Sequence, residues 1–246
     1  NDKAIYVFDK DKELQRSSVS IAMKHDPIPD AEKANMMYFI QQYVKNMVGM
    51  MLNQRFDEMT QKADCPFLNA YAYDGQYIYS KTKDAFNLYG ISKDGQELQT
   101  LSALYREAQR VRQHGFTATE YDRTKAEYLS QLESAYTNRN KIKNDQYGDE
   151  YRDNFLDKEP IPGIEVEYQI MTQLVPNLTV DMINAYAKEL ISDNDTNLVV
   201  SIDEQEKAGK TYPTEAEMQQ AVNSVRTETI EAYKDNVKNE PLLDEK

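Results

Sequence analysis

The spacing of hydrophobic residues changes within the first sixty positions, and the change separates predicted strands from a predicted helix. Ala4 to Phe8 and Ser17 to Met23 carry apolar and β-branched residues over short spans, which predicts a first pair of strands. From Ala31 to Thr60 the apolar residues recur at steps of three and four, which predicts one long helix. The broad apolar face of this helix would consist of Met36, Met37, Ile40, Tyr43, Val44, Met47, Val48, Met51 and Leu52.

A period of two replaces the helical spacing after Pro66. Aromatic residues occupy odd positions on both sides of Asp74-Gly75, namely Phe67, Tyr71, Tyr73, Tyr77 and Tyr79. This alternation predicts a hairpin with its turn at Asp74-Gly75. The tyrosines could present a peptide-binding surface, or they could simply alternate between core and solvent. Asp84 to Ser92 predicts one more strand, which ends before the Asp94-Gly95 turn.

Two further helices are indicated in the middle of the chain. Apolar residues recur at helical spacing from Gln96 to Gln113, and His114-Gly115 supplies a stop signal. Thr117 to Glu120 has the pattern of a capping box, in which the threonine and glutamate side chains each bind an otherwise unpaired backbone amide. A second helix therefore starts there, and we expect it to reach about Asn144.

The last hundred residues predict more helix, one strand and a tail. Polar helical sequence continues through Tyr147, Tyr151 and Phe155 to a break at residues 160–163, and shorter helices follow around 165–174 and 179–191. Asn197 to Ile202 has the composition of a strand. An amphipathic helix at roughly 214–233 precedes the charged tail.

This order of elements predicts an α+β fold, in which long helices cover one face of an antiparallel β-sheet. We expect the domain to comprise residues 1–203. Residues 204–246 are expected to form a helical linker toward a following domain.

Charge and hydropathy narrow the classes of partner. The 246 residues, 40% of them hydrophobic, can fill a substantial core. The net charge of −13 disfavours nucleic acid as a partner, because affinity for polyphosphate comes largely from lysine and arginine. Apolar runs such as Asn197 to Ile202 fall far short of the roughly 20 residues that span a bilayer, so membrane insertion is not expected.

Residues that could carry catalysis are sparse. Neither His25 nor His114 has a second metal-binding residue at the spacing of a zinc half-site. Cys65 is the single cysteine and is typical of a small buried hydrophobe. The sequence contains neither Gly-x-Ser-x-Gly nor a phosphate-binding glycine-rich loop. We therefore expect no metal, no cofactor and no catalytic residue in this chain, which alone would not be an enzyme.

Three stretches, taken in order, resemble a known family. They are Met51 to Glu58 with Cys65 to Ala70, then Gly115 to Lys125, and then Ile161 to Tyr168 with the later Leu178 to Asp181 and Asn197 to Val200. Together they are similar to the second, non-catalytic domain of the pitrilysin/insulinase-type zinc peptidases. The active domain of that family carries H-x-x-E-H. This motif has no counterpart here.

The resemblance implies a place within a larger protein, called the parent below. It implies a four-domain bacterial metalloendopeptidase, periplasmic or secreted, that hydrolyses peptides or unfolded proteins with zinc held in another domain. This chain would be a scaffold that lines a peptide-holding chamber, with the other domains and the peptide substrate as partners. An alternative is a catalytically inert binding or assembly module on the same fold. An unrelated enzyme with a carboxylate pair stays open, although no pair is singled out.

The resemblance also implies candidate residues for the substrate chamber. In the family's last domain an arginine and a tyrosine reach the substrate, and Arg55 with Tyr71 or Tyr73 lies in the corresponding region. Lys62 to Pro66 departs from the Gly-x-x-Tyr pattern expected there, which favours a second-domain identity. Arg55 would then pair with a nearby carboxylate such as Glu58.

Overall fold

The computed structural model describes residues 1–78, 80–141, 160 and 163–235. Several predictions fall outside the described residues: Tyr79, the helical sequence at 147–155, Ile161 with Pro162, and the tail from 236. The helix predicted to reach about Asn144 is shorter than predicted, because it ends at Thr137 and a 3-10 turn follows at Arg139–Lys141. The strands are β1 (Ile5–Asp11), β2 (Ser18–His25), β3 (Phe67–Gln76), β4 (Asp84–Ser92) and β5 (Leu198–Gln205). The α-helices are α1 (Met36–Thr60), α2 (Glu97–His114), α3 (Ala118–Thr137), α4 (Gly163–Leu174), α5 (Val180–Leu190) and α6 (Glu215–Thr227).

The five strands form one mixed sheet in the order β1-β5-β2-β4-β3. The pairs β2–β5, β2–β4 and β3–β4 are antiparallel, as predicted, whereas β1 runs parallel to β5. Both strands of the predicted first pair are present, but they do not pair with each other, because β5 lies between β1 and β2. The α+β class is confirmed. Among the described residues, no helix is both long enough and apolar enough to cross a bilayer.

The predicted turn at Asp74-Gly75 is also wrong. Both residues lie inside β3, where Asp74 pairs with Phe86 and Gly75 with Ala85, so the chain turns between residues 77 and 83. The reason lies in contacts with residues that are distant in sequence. The buried Asp74 carboxylate accepts a hydrogen bond from His25 Nε2 at 2.6 Å and lies 2.6 Å from Lys45 Nζ. These contacts hold the aspartate in the ladder, although the dipeptide favours a turn.

Helix starts follow the local sequence closely. The Thr117–Glu120 capping box is present at the start of α3, with both reciprocal hydrogen bonds formed. The Asn35 side chain caps α1 by accepting from the backbone amide of Tyr38. Thr214 and Glu217 form a second capping box at α6, which the sequence analysis did not single out. Each box satisfies amide groups that a helix end otherwise leaves unpaired.

The core lies between the helices and one face of the sheet. Alternate strand residues point into it and are buried, including Val19 and Ile21 of β2 and Phe86 and Leu88 of β4. Met36 and Met37, which the periodicity placed on the apolar face of α1, are instead 50% and 57% exposed. The core-facing part of α1 begins one turn later.

Helix α1 also closes one edge of the sheet. The Asn53 side chain accepts from the Ala72 backbone amide at 2.6 Å and donates to the Ala72 carbonyl at 3.2 Å. Gly49 allows this approach, since a Cβ at that position would lie 3.3 Å from the Ala72 carbonyl oxygen. The amide of Asn53 thus occupies backbone groups that an edge strand usually leaves open.

The described part of the expected linker packs against the domain. The predicted boundary after residue 203 falls inside β5, and α6 buries Met218, Val222 and Val225 in the common core. Ile230 is buried as well. Within the described residues, 204–235 therefore form part of the packed domain. A linker beyond residue 235 stays a prediction.

Candidate functional site

The sheet face opposite the core carries a cluster of tyrosines. Tyr71 and Tyr73 are 44% and 45% exposed, whereas Ala70 and Ala72, which alternate with them along β3, are buried. The Tyr71 ring stacks on Tyr73 at 6.0 Å between centroids and lies 5.1 Å from the ring of Tyr89 on β4. Burial and the neighbouring Tyr89 and Tyr73 raise the pKa of Tyr71, so its phenol stays neutral at physiological pH.

Residues paired with these tyrosines on the neighbouring strands continue the same face across the sheet. Tyr71 pairs with Tyr89, which pairs with Ser20, which in turn pairs with Ser201 of β5. The two serine hydroxyls hydrogen-bond to each other at 2.7 Å. At the far side Ile5 and Val7 of β1 are 43% and 41% exposed. This surface, called the open face below, therefore has small polar residues at its centre and apolar or aromatic residues on both flanks.

Arg55 lies on the other side of the sheet, among the helices. Its side chain is 2% exposed and donates to both carboxylate oxygens of Glu120, at 2.7 and 3.0 Å. It also donates to Glu107 at 3.0 Å. Burial alone would lower the pKa of Arg55, but the hydrogen bonds and charges of Glu120 and Glu107 outweigh it and raise the pKa. Arg55 thus joins α1, α2 and α3.

The expected partner of Arg55, Glu58, is engaged elsewhere. The Tyr233 hydroxyl donates to Glu58 at 2.6 Å, while the Tyr233 ring stacks over the Arg55 guanidinium at 4.2 Å. The structure thus keeps Tyr71 and Tyr73 together on the open face and places Arg55 apart from them, inside the helix layer. Arg55 presents almost no surface that a substrate could contact.

The two histidines have structural partners. His25 binds Asp74, and a ring nitrogen of His114 lies 2.6 Å from the Ile230 carbonyl oxygen. Burial alone would lower the pKa of His25, but the hydrogen bond and charge of Asp74 outweigh it and raise the pKa. Cys65 is buried. Among the residues that the structure describes, no group of three or more His, Cys, Asp or Glu is gathered for a metal ion.

Sequence reasoning missed the polar cluster of His25, Lys45 and Asp74. Its members come from β2, α1 and β3, and they meet because Lys45 of α1 packs where β2 and β3 finish. The one available signal was that Asp74 occupies an even position, on the face of the strand opposite to the tyrosines at odd positions. That signal was hidden by the turn-like Asp-Gly dipeptide.

Comparison with known proteins finds no matching family model. It does find a relative in sequence and several solved structures with a similar fold. Over 81 residues, 33% of this chain, it is 38% identical to a protein of Arabidopsis thaliana named zinc protease PQQL-like. The first half of the periplasmic protease PqqL from Escherichia coli matches 95% of this chain with a TM-score of 0.81 and 18% identity. A predicted insulinase family protease from Yersinia pestis matches 92% with a TM-score of 0.74 and 12% identity.

A structure titled peptidase M16 inactive domain, from Pseudomonas fluorescens, matches 85% of this chain with a TM-score of 0.55 and 12% identity. At these identities the structural matches establish a shared fold. The chain spans only part of the proteins it resembles: 49%, 47% and 45% of the three solved chains. The matched segment is 8% of the plant relative.

Proposed function

We propose that this chain, which groups with the pitrilysin/insulinase-type zinc peptidases by its fold and its plant relative, is a non-catalytic domain of a zinc-dependent metalloendopeptidase. The three sequence stretches predicted this grouping. One observation carries the proposal: the fold is retained while the H-x-x-E-H motif is absent from the sequence. Zinc and the water it activates would be supplied by another domain of the parent.

The role proposed for the domain is to support the catalytic part and to line a chamber for peptides. The open face supports this role, because the helices of the described residues pack on the other face of the sheet and exposed tyrosines stack on this one. Tyrosine combines a large contact area with a polar tip and so suits polypeptides of varied sequence. The net charge of −13 would favour basic or unfolded peptides.

We also propose a place for the domain in the parent. A match to about half of the first half of PqqL is compatible with one of two domains there, and the absence of H-x-x-E-H from this chain favours the second. Because that relative is titled a periplasmic protease, we propose a periplasmic or secreted parent. The structure titled as an inactive domain has the same fold and favours one alternative, a binding or assembly module in a parent without peptidase activity.

The chamber role is tested by removing the stacked rings from the full-length parent. The double substitution Tyr71→Ala/Tyr73→Ala should raise KM for an unfolded peptide about tenfold, which corresponds to about 1.4 kcal/mol of lost binding. The value of kcat should stay within about twofold, because the rings would bind substrate and transition state alike. Steady-state kinetics with a quenched fluorescent peptide measures both constants.

The matched control replaces exposed apolar residues on the helices, Val166→Ala/Met182→Ala, whose side chains are 45% and 46% exposed. This variant should leave KM unchanged. An equal rise of KM in both variants, or a fall of kcat confined to the tyrosine variant, would remove the support for a substrate-binding open face.

A further inference from the structure

A cleft of about 240 Å³ lies at the end of the sheet where β2 and β3 finish and β4 begins. One wall is formed by the first turns of α1, with Tyr38, Gln42 and Lys45, and by Lys33 from the preceding loop. Further lining residues come from the end of β3, with Gln76, and from the β3–β4 connection, with Lys81. This cleft lies apart from the central rows of the open face and is lined mainly by polar side chains.

Cationic groups converge in this cleft although the chain as a whole is strongly acidic. Three lysines line it, against two carboxylates, Asp74 and Asp84. The Asp74 oxygens lie 2.6 Å from His25 Nε2 and from Lys45 Nζ, and Asp84 lies 3.9 Å from the same lysine. The acidic groups of the cleft are therefore already offset by neighbouring cations.

Two further features add positive potential on the α1 side. Lys33, whose side chain is 15% exposed, pairs at 3.0 Å with Asp30, whose side chain is 67% exposed, and the exposed end of this pair keeps the interaction weak. Helix α1 is 25 residues long and has no acidic residue in its first turn. The partial positive charge at its N-terminus is therefore not offset by a carboxylate within that turn.

Exposed apolar side chains lie close in sequence to the lining residues on both sides of the cleft. Ile78 in the β3–β4 connection has φ of +53° and is 68% exposed. A β-branched residue is strained in this conformation, and packing in this chain does little to offset the strain. Met36 and Met37 begin α1, directly before the lining residue Tyr38, and half or more of their side-chain surface is exposed. Exposed apolar groups beside a polar cleft are typical of an interaction site.

We propose that this cleft binds a carboxylate-bearing, extended segment of a polypeptide. Lys33 and Lys81 would bind the carboxylate, and Ile78, Met36 and Met37 would contact apolar side chains next to it. Lys45 would hold the cleft in shape through Asp74. The inference rests on the proposed function only in taking a polypeptide as the ligand. It adds a subsite for acidic sequence to a domain whose overall charge favours basic sequence.

The test measures binding of two short labelled peptides to the 246-residue chain by fluorescence anisotropy. One peptide alternates glutamate with leucine, and the other alternates lysine with leucine. We expect the acidic peptide to bind with measurable affinity, and Lys33→Glu/Lys81→Glu to weaken that binding at least tenfold. The matched control Lys10→Glu/Lys207→Glu changes the net charge equally at lysines that are 44% and 49% exposed, and it should weaken binding less than threefold.

Three outcomes would overturn the proposal. These are absence of acidic-peptide binding, equal weakening in both lysine variants, and full displacement by inorganic phosphate at equal concentration, which would indicate a simple anion site. Thermal unfolding of each variant confirms that it is folded. The Tyr71→Ala/Tyr73→Ala variant should retain acidic-peptide binding. The two proposals can therefore fail separately, because the cleft is tested by peptide binding to this chain and the open face by KM in the parent.

Discussion

Replacing Arg55 with methionine is expected to lower the free energy of unfolding by about 3–5 kcal/mol. The substitution keeps most of the side-chain volume but leaves Glu107 and Glu120 without their shared cation. Both carboxylates are buried, so each would lose a charged partner in a place where water cannot replace it. Urea unfolding followed by circular dichroism measures the change, provided that the transition is two-state.

The control is Arg106→Met, which removes a bidentate pair with Glu228 on the surface of the same helix layer. The side chains of that pair are 34% and 37% exposed, so the expected loss is at most about 1 kcal/mol. Adding Glu120→Gln to the Arg55 variant should recover part of its stability, since the uncompensated charge of Glu120 disappears, whereas Glu107 keeps its pair with Arg110 at 2.9 Å. A loss no larger than that of the control would contradict a central structural role for Arg55.

Ending the chain at residue 203 is expected to abolish cooperative folding. That boundary removes the end of β5 and four buried side chains: Met218, Val222, Val225 and Ile230. Full burial of such a side chain contributes about 1.5–3 kcal/mol, so about 6–12 kcal/mol would be lost. A typical domain has only about 5–15 kcal/mol of net stability. Thermal unfolding of the shortened chain measures the effect.

The matched control ends at residue 235 and keeps every described contact of the C-terminal part, including Tyr233 over Arg55 and Asp235 with Arg123. It should unfold cooperatively, within a few degrees of the 246-residue chain. A cooperative transition in the chain that ends at 203 would instead support the boundary that the sequence predicted, with 204–235 as a separable linker.

The parts of the fold that the sequence predicted well depend on neighbouring residues. The Asp84–Ser92 strand and the Thr117–Glu120 capping box appear at the predicted positions. Both are local features, since alternation and helix caps involve residues only a few positions apart. The same alternation placed Tyr71 and Tyr73 on one face of the strand but left open whether that face is exposed, as it is in the structure.

The parts that it missed depend on contacts between distant segments. Arg55 was given a partner three positions away, whereas its partners come from residue 107 on α2 and residue 120 on α3. The insertion of β5 between β1 and β2 joins residues nearly 200 positions apart, and no local pattern encodes that pairing. Asp74 was misplaced for the same reason, because the lysine and histidine that keep it in a strand are remote in sequence.

The central claim is that this domain serves a zinc peptidase without carrying its chemistry. The most direct test compares zinc content and cleavage of a quenched basic peptide, with and without a chelator, for this chain and for the full-length parent. We expect bound zinc and chelator-sensitive cleavage in the parent, and neither in this chain alone. Cleavage by this chain alone would contradict the claim, and inactivity of both would favour the assembly module.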